Sequence, residues 1–241
     1  MEEIQFKRAE LEDKEIITKY FKHHTSRSCE RTFVNVFLWS RQYPVKWAVI
    51  ENALVFKSED DTHVSFAFPA GEDECIKKAM DVMKKYSESK GYPFSMYNVT
   101  PDNFEKLEEW YPGRFQIEYV RDVADYVYES EKLASLSGKK LHAKRNHINK
   151  FKTVYADRWS YEPMTTDNVE ECFQMALKWR NENGCEEDPE KNAEMCVTLN
   201  SLRLFEELEL KGGVLRLDGK IIAFTIGEPV CSDTFVVHIE K

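Results

Sequence analysis

Two sets of three closely spaced β-forming segments restrict this chain to a sheet-containing fold. The first set covers residues 45–51, 54–58 and 63–68; the second covers 214–217, 221–226 and 234–239. Polar turns separate the segments, containing Glu51-Asn52 and Asp60-Asp61 in the first set and Asp218-Gly219 in the second. Such spacing leaves room only for hairpin connections, so each set reads as an antiparallel meander. Helical patterns surround both. In the first half a short strand at 4–8 precedes helices at 13–23 and 32–40. After the meander come a helix at 72–89, a strand at 94–99, a helix at 100–110 and a strand at 115–119. Ile76, Ala79, Met80, Met83 and Tyr86 lie on one face of the 72–89 helix.

The pattern then starts again. A strand at 125–128 and a short helix join the halves. A helix at 139–155 leads to a strand at 159–164, helices at 166–181 and 189–211, and the second meander. Gly212-Gly213 is expected to end the long helix. The expected class is α/β (α+β): two domains, 1–124 and 125–241, each a mixed, largely antiparallel sheet flanked by helices. The first half has a helix and further strands after its meander and the second has none, so either the second domain is incomplete at its C-terminus, as expected, or the repeat is lopsided.

Charge is distributed unevenly along this repeat. Residues 132–156 contain Lys132, Lys139, Lys140, Lys144, Arg145, Lys150 and Lys152 and no acid. The chain as a whole has 34 basic and 43 acidic residues. Outside the window this leaves 27 against 43, a net −16. A basic band on an acidic protein points to one local polyanion or phosphate site, and against general coating of nucleic acid. Within the predicted helix, Leu141, Ile148, Phe151 and Tyr155 form an apolar stripe, with Ser137 as expected N-cap and Gly138 allowing a sharp turn. Lys139 and Lys140 fall in the first turn, where the helix dipole disfavours cations. Lys144 falls in the apolar stripe. Lysines and free backbone N–H groups at such a position suit an anion.

The other motifs mainly exclude. Cys29, Cys75, Cys172, Cys185, Cys196 and Cys231 form no CxxC pair, so neither a zinc ribbon nor a disulfide framework is expected, and a reducing cytoplasm fits. No signal-peptide h-region and no run of 18 apolar residues is present, so no transmembrane segment is expected. HEXXH, P-loop, GxGxxG and GxSxG patterns are absent, which leaves no metal, no bound cofactor and no activated nucleophile of those kinds to expect.

Two segments carry a family resemblance: DYVYESEKLASLSGKKLHAKRNHINKF, from Asp125 to Phe151, and GGVLRLDGKIIAFTIGEPVCSDTFVVHIEK, from Gly212 to Lys241. They resemble bacterial proteins of unassigned function related to the C-terminal catalytic domain of phosphatidylglycerol lysyltransferase. The resemblance implies a tandem of two GNAT-like N-acyltransferase domains. Better-known relatives transfer an amino acid from aminoacyl-tRNA to a lipid or a peptidoglycan precursor. Ala143 stands where another basic residue is expected. Family members also continue past the last strand, into the part that would hold the acyl-donor cleft of the second domain.

An acetyl-CoA enzyme of that superfamily cradles pyrophosphate on a Gly-rich turn after its fourth strand. Here the first-half turn reads Phe68-Pro69-Ala70-Gly71-Glu72-Asp73-Glu74, and its three acids repel phosphate, so the first domain is expected to be structural. Acyl transfer from an ester to an amine or hydroxyl needs positioning, an oxyanion donor and a proton acceptor. His238 and Glu240 alternate along the last strand and share a face, which makes them the catalytic candidates. Lys139, Lys140, Lys144, Arg145 and His147 are the anion-binding candidates, with Arg180 and Asn181 bordering the same cleft. The expected activity is aminoacyl or acyl transfer to an unknown lipid-like or small amine acceptor, with aminoacyl-tRNA or acyl-CoA as co-substrate. Two alternatives stand beside it: a non-catalytic tRNA- or anion-binding module, and a CoA-dependent N-acetyltransferase.

Overall fold

A computed structural model describes residues 4–241. The chain divides into two compact units, Met1–Tyr119 with Pro229–Thr234, and Val120–Glu228 with Phe235–Lys241.

In the first unit helices α1 (Lys14–Phe21) and α2 (Phe33–Trp39) precede strands β1 (Val45–Ile50), β2 (Ala53–Glu59) and β3 (Val64–Ala67). Helix α3 (Asp73–Ser89), strand β4 (Met96–Tyr97) and helix α4 (Pro101–Trp110) follow. The sheet order is β1-β2-β3-β4, antiparallel except for the β3–β4 pair. Ile50 pairs with Ala53 across a two-residue turn. Glu51 and Asn52 have φ of 51° and 60°, the left-handed pair that matches strand twist in a tight hairpin. Lys7 exchanges backbone hydrogen bonds with Trp47, so the 4–8 segment touches the β1 edge as one bridge rather than a strand.

Local chemistry sets the helix ends. Thr32 Oγ1 accepts from Asn35 N–H at the start of α2, and Thr100 Oγ1 from Asn103 N–H at the start of α4, where Pro101 follows. In α3, Asp73 and Glu74 occupy the positive end of the dipole, and Ile76, Ala79, Met80 and Met83 repeat at helical spacing. These four pack with Val55, Val64, Phe66 and Leu107 in one apolar cluster.

The second unit contains α5 (Ser130–Ser135), α6 (His142–Val154), β5 (Trp159–Pro163), α7 (Val169–Glu182), α8 (Pro189–Arg203), β6 (Lys211–Leu217) and most of β7 (Lys220–Cys231) and β8 (Thr234–Glu240). Its sheet order is β5-β6-β7-β8, with β5–β6 and β6–β7 antiparallel and a register shift between Leu215 and Arg216. Phe224 and Lys241 exchange both backbone hydrogen bonds, at 2.8 and 3.0 Å. Asp188 caps α8, accepting from the N–H groups of Glu190 and Lys191. The buried apolar side chains come from α7 (Cys172, Ala176), α8 (Met195, Leu199, Leu202) and the sheet (Val214, Phe224, Ile226, Ile239). Each unit thus runs from an edge segment through two helices into a three-strand meander, a mixed α+β arrangement.

Several expectations are corrected. The 94–99 strand shrinks to β4, whose two residues pair with Phe66 and Ala67. Segments 115–119 and 125–128 form no strand; Tyr119, Tyr126, Val127 and Tyr128 are exposed and no neighbouring strand offers a ladder. The 189–211 helix stops at Arg203, and Leu208 and Leu210 reach the core from a turn in which Glu209 has φ of 55°. Gly212 and Gly213 belong to β6 rather than ending a helix. A Cβ on Gly212 would sit 2.5 Å from the Thr225 carbonyl oxygen, and one on Gly213 would strike the Tyr161 ring, so close approach inside the sheet explains both glycines.

Candidate functional site

The basic stretch opens on a chain reversal. Leu136 is left-handed (φ 49°) and Gly138 has φ of 93°. Lys139–Leu141 form one 3-10 turn, and α6 starts at His142 without a side-chain cap, so Ser137 is not the N-cap. Arg145 closes this reversal by donating to the carbonyl oxygens of Leu136 and of Gly138, the latter at 2.9 Å. Its guanidinium therefore has a local structural task.

No side chain of α6 is buried. Leu141, Phe151 and Tyr155 are half-buried and Ile148 is exposed, with Phe151 stacked near Tyr155 (5.0 Å between centroids) and Trp159 (6.1 Å). Lys144 accordingly does not lie beside a core: it is exposed. Among the described residues Lys139, Lys140, Lys144 and Lys150 have no hydrogen-bond or ion-pair partner, and His147 is exposed. Lys152 lies 5.9 Å from the centre of the Trp159 ring. The result is a solvent-facing array of cations on one helix and the turn before it.

The second group of interest surrounds β8. His238 Nε2 lies 2.9 Å from Glu228 Oε1, and the two side chains are only 6% and 17% exposed. Glu240, the residue expected to work with His238, is exposed instead. Sequence reasoning misses Glu228 on β7; the signal available was its place in the strand that the Thr234–Glu240 strand must pair with. It misses Lys241 as well. The Lys241 ammonium donates to Glu194 Oε1 at 2.7 Å, lies 4.1 Å over the Trp179 ring and is 5% exposed.

Arg180, at the end of α7, donates to Asn192 Oδ1 at 3.1 Å and approaches Glu186 to 3.4 Å, while its Nε is buried with no partner. It therefore ties α7 to α8 and offers a phosphate less than the exposed lysines do. Asn181 is exposed. Elsewhere in the unit Arg216 grips Glu171 through two bonds of 2.7 and 2.8 Å and Glu162 through one of 2.8 Å. The bonds from Arg216 hold the Glu171 carboxyl below its ordinary range. Burial pushes the Cys172 thiol up to about 11, which keeps it protonated and non-nucleophilic at neutral pH. Among the described residues no three His, Cys, Asp or Glu side chains converge on a metal position, and no helix is long and apolar enough to cross a membrane.

In the first unit the turn after β3 is held by side chains that follow α1 and by one from α4. His24 Nε2 lies 2.9 Å from the Gly71 carbonyl oxygen and His23 Nδ1 lies 3.1 Å from Glu72. Lys106 donates to Asp73 at 2.6 Å. Carboxylates already occupy the surroundings of the α3 N-terminus, where a phosphate would need to sit.

Residues 21–241 match the family described as phosphatidylglycerol lysyltransferase, C-terminal. A crystal structure of a conserved protein of unknown function from Bacteroides thetaiotaomicron VPI-5482 shares 35% identity and superposes with a TM-score of 0.87, over 99% of this chain and 80% of that one. L-PGS from Bacillus licheniformis is 13% identical with a TM-score of 0.55, covering 93% of this chain and 65% of that one. The C-terminal domain of a putative lysylphosphatidylglycerol synthetase from Agrobacterium fabrum is 16% identical with a TM-score of 0.52, covering 90% and 63%. These two likenesses concern the fold. An uncharacterized protein of Mycoplasmoides gallisepticum is 24% identical over 136 residues, 55% of this chain and 44% of that protein's length. The match over residues 21–241 places the chain in the family of the phosphatidylglycerol lysyltransferase C-terminal domain.

Proposed function

We propose that the chain is a cytoplasmic, tandem GNAT-like acyltransferase whose second unit moves an aminoacyl group from aminoacyl-tRNA to a lipid-like or small amine acceptor. The observation that carries this reading is the set of lysines on α6 and the preceding turn that have no partner among the described residues, in a member of this family. Lys139, Lys140, Lys144 and Lys150 would neutralise tRNA phosphates, releasing counterions without sequence readout. His238 would accept the proton of the incoming amine or hydroxyl. Arg180 and Asn181 would border the cleft.

The first unit is read as structural. Acids at the start of α3, held by His23, His24 and Lys106, speak against a CoA pyrophosphate there. Filter binding tests the reading with charged and uncharged tRNA at low and moderate salt. We expect salt-sensitive binding that prefers charged tRNA and is sharply weakened in Lys139→Glu/Lys144→Glu. Binding indifferent to charging would favour a tRNA-binding module without catalysis. No binding at low salt would overturn the tRNA reading and favour a CoA thioester donor.

A further inference from the structure

We infer that Glu228 is a positioning residue that fixes His238 as its Nε2–H tautomer and so makes Nδ1 the proton-accepting atom. The inference rests on the proposed acyl transfer in the second unit. Its ground is the buried contact of 2.9 Å between His238 Nε2 and Glu228 Oε1, side chains 6% and 17% exposed. A carboxylate only accepts hydrogen bonds, so the shared proton belongs to Nε2. A neutral imidazole with a proton on Nε2 carries its free lone pair on Nδ1. Among the described residues neither side chain has another hydrogen-bond or ion-pair partner, so flipping the ring would leave a largely buried carboxylate unsatisfied. The ends of the contact stand on β7 and β8, two hydrogen-bonded strands, which fixes the backbone positions from which both side chains reach.

The chemistry balances without a further reactant. As the acceptor nitrogen or oxygen bonds to the ester carbonyl carbon, its proton passes to Nδ1. The tetrahedral intermediate collapses by breaking the bond to the ribose oxygen, which takes the proton back from Nδ1. Nε2 keeps its own proton throughout, and Glu228 supplies the negative charge opposite the transient imidazolium. The carboxylate that works with His238 is thus Glu228 on β7, not the exposed Glu240 on its own strand.

The test is nitrogen NMR of the full chain labelled at histidine, with the His238 signal identified by its disappearance in His238→Gln. The chain has six histidines, so this assignment is required. We expect one neutral Nε2–H tautomer at neutral pH in the wild type, and a mixture of both tautomers in Glu228→Gln, whose amide can also donate. An Nδ1–H ring or a standing imidazolium in the wild type overturns the inference. So does an unchanged tautomer in Glu228→Gln. If that variant does not fold, the wild-type tautomer alone decides. The readout needs no substrate: the expected tautomer in a protein that transfers nothing counts against the proposed function and leaves the pairing intact.

Discussion

Replacing Lys57 by Met tests the energetics of the first unit at its most constrained polar point. Lys57 and Glu59 lie two apart on β2 and share a face. The Lys57 ammonium bonds to Glu59 and to the Tyr86 hydroxyl, and lies 4.4 Å from the centres of both the Phe6 and Tyr86 rings. Its side chain is 6% exposed, and that of Glu59 is 26% exposed. Met keeps most of the apolar stem and removes the charge. Breaking a fully buried pair costs about 3–5 kcal/mol. Glu59 keeps the Tyr86 hydroxyl at 2.8 Å, Lys90 at 3.5 Å and some solvent, which lowers the cost of Lys57→Met to about 2 kcal/mol. Glu59→Gln leaves the less accessible ammonium without a counter-charge, held by neutral oxygens and two ring faces, and should cost about 3 kcal/mol. The double variant has no stranded charge, so its cost should fall short of the sum by about 2 kcal/mol. Urea unfolding at neutral pH, with the transitions of the two units resolved, measures all three values.

Additive costs, or a Lys57→Met protein as stable as the wild type, would refute the reasoning. Acid gives a second reading of the same network. Burial works against ionisation of Glu59, but the hydrogen bonds from Lys57 and Tyr86 and the nearby Lys57 and Lys90 charges hold it below its ordinary 4.5. A depressed carboxyl contributes stability that is complete above the unfolded value and lost as pH falls through the folded one. Wild-type stability should therefore fall more steeply below pH 4.5 than that of Glu59→Gln.

The remaining expectations concern the second unit. Gly212→Ala should cost about 1–3 kcal/mol, because its Cβ meets the Thr225 backbone oxygen at 2.5 Å. Gly213→Ala should cost less, since the exposed Tyr161 side chain it meets can swing away; comparison of urea midpoints decides. Lys139→Glu/Lys144→Glu should reduce the slope of log affinity for tRNA against log salt by about two, one for each lysine that no longer neutralises a phosphate, without changing the thermal midpoint. His238→Gln should lower the rate of transfer by about 100-fold or more while leaving tRNA affinity unchanged, which single-turnover rates and filter binding separate.

The helices and hairpins with strong local signals were legible from the sequence. Thr100-Pro101, the α3 repeat of Ile76, Ala79, Met80 and Met83, and the Asp218-Gly219 turn each contain their own instruction. The failures share a cause. Whether 115–119 becomes a strand depends on a neighbour, and the sequence does not say whether one is near. Gly212 and Gly213 carry the usual mark of a helix stop, yet their reason lies across the sheet in Thr225 and Tyr161. The site divides the same way. The cation array is a run of adjacent residues and can be read directly. The contact of His238 with Glu228 requires the alignment of two strands, and alternation along β8 pointed to Glu240 instead.

The most direct measurement is transfer of label from aminoacyl-tRNA to amine and lipid acceptors in an extract, run beside the same assay with labelled acetyl-CoA. The account predicts that label leaves aminoacyl-tRNA with wild-type protein and stays with His238→Gln, while acetyl-CoA is untouched in both. Consumption of acetyl-CoA with aminoacyl-tRNA left intact would contradict it.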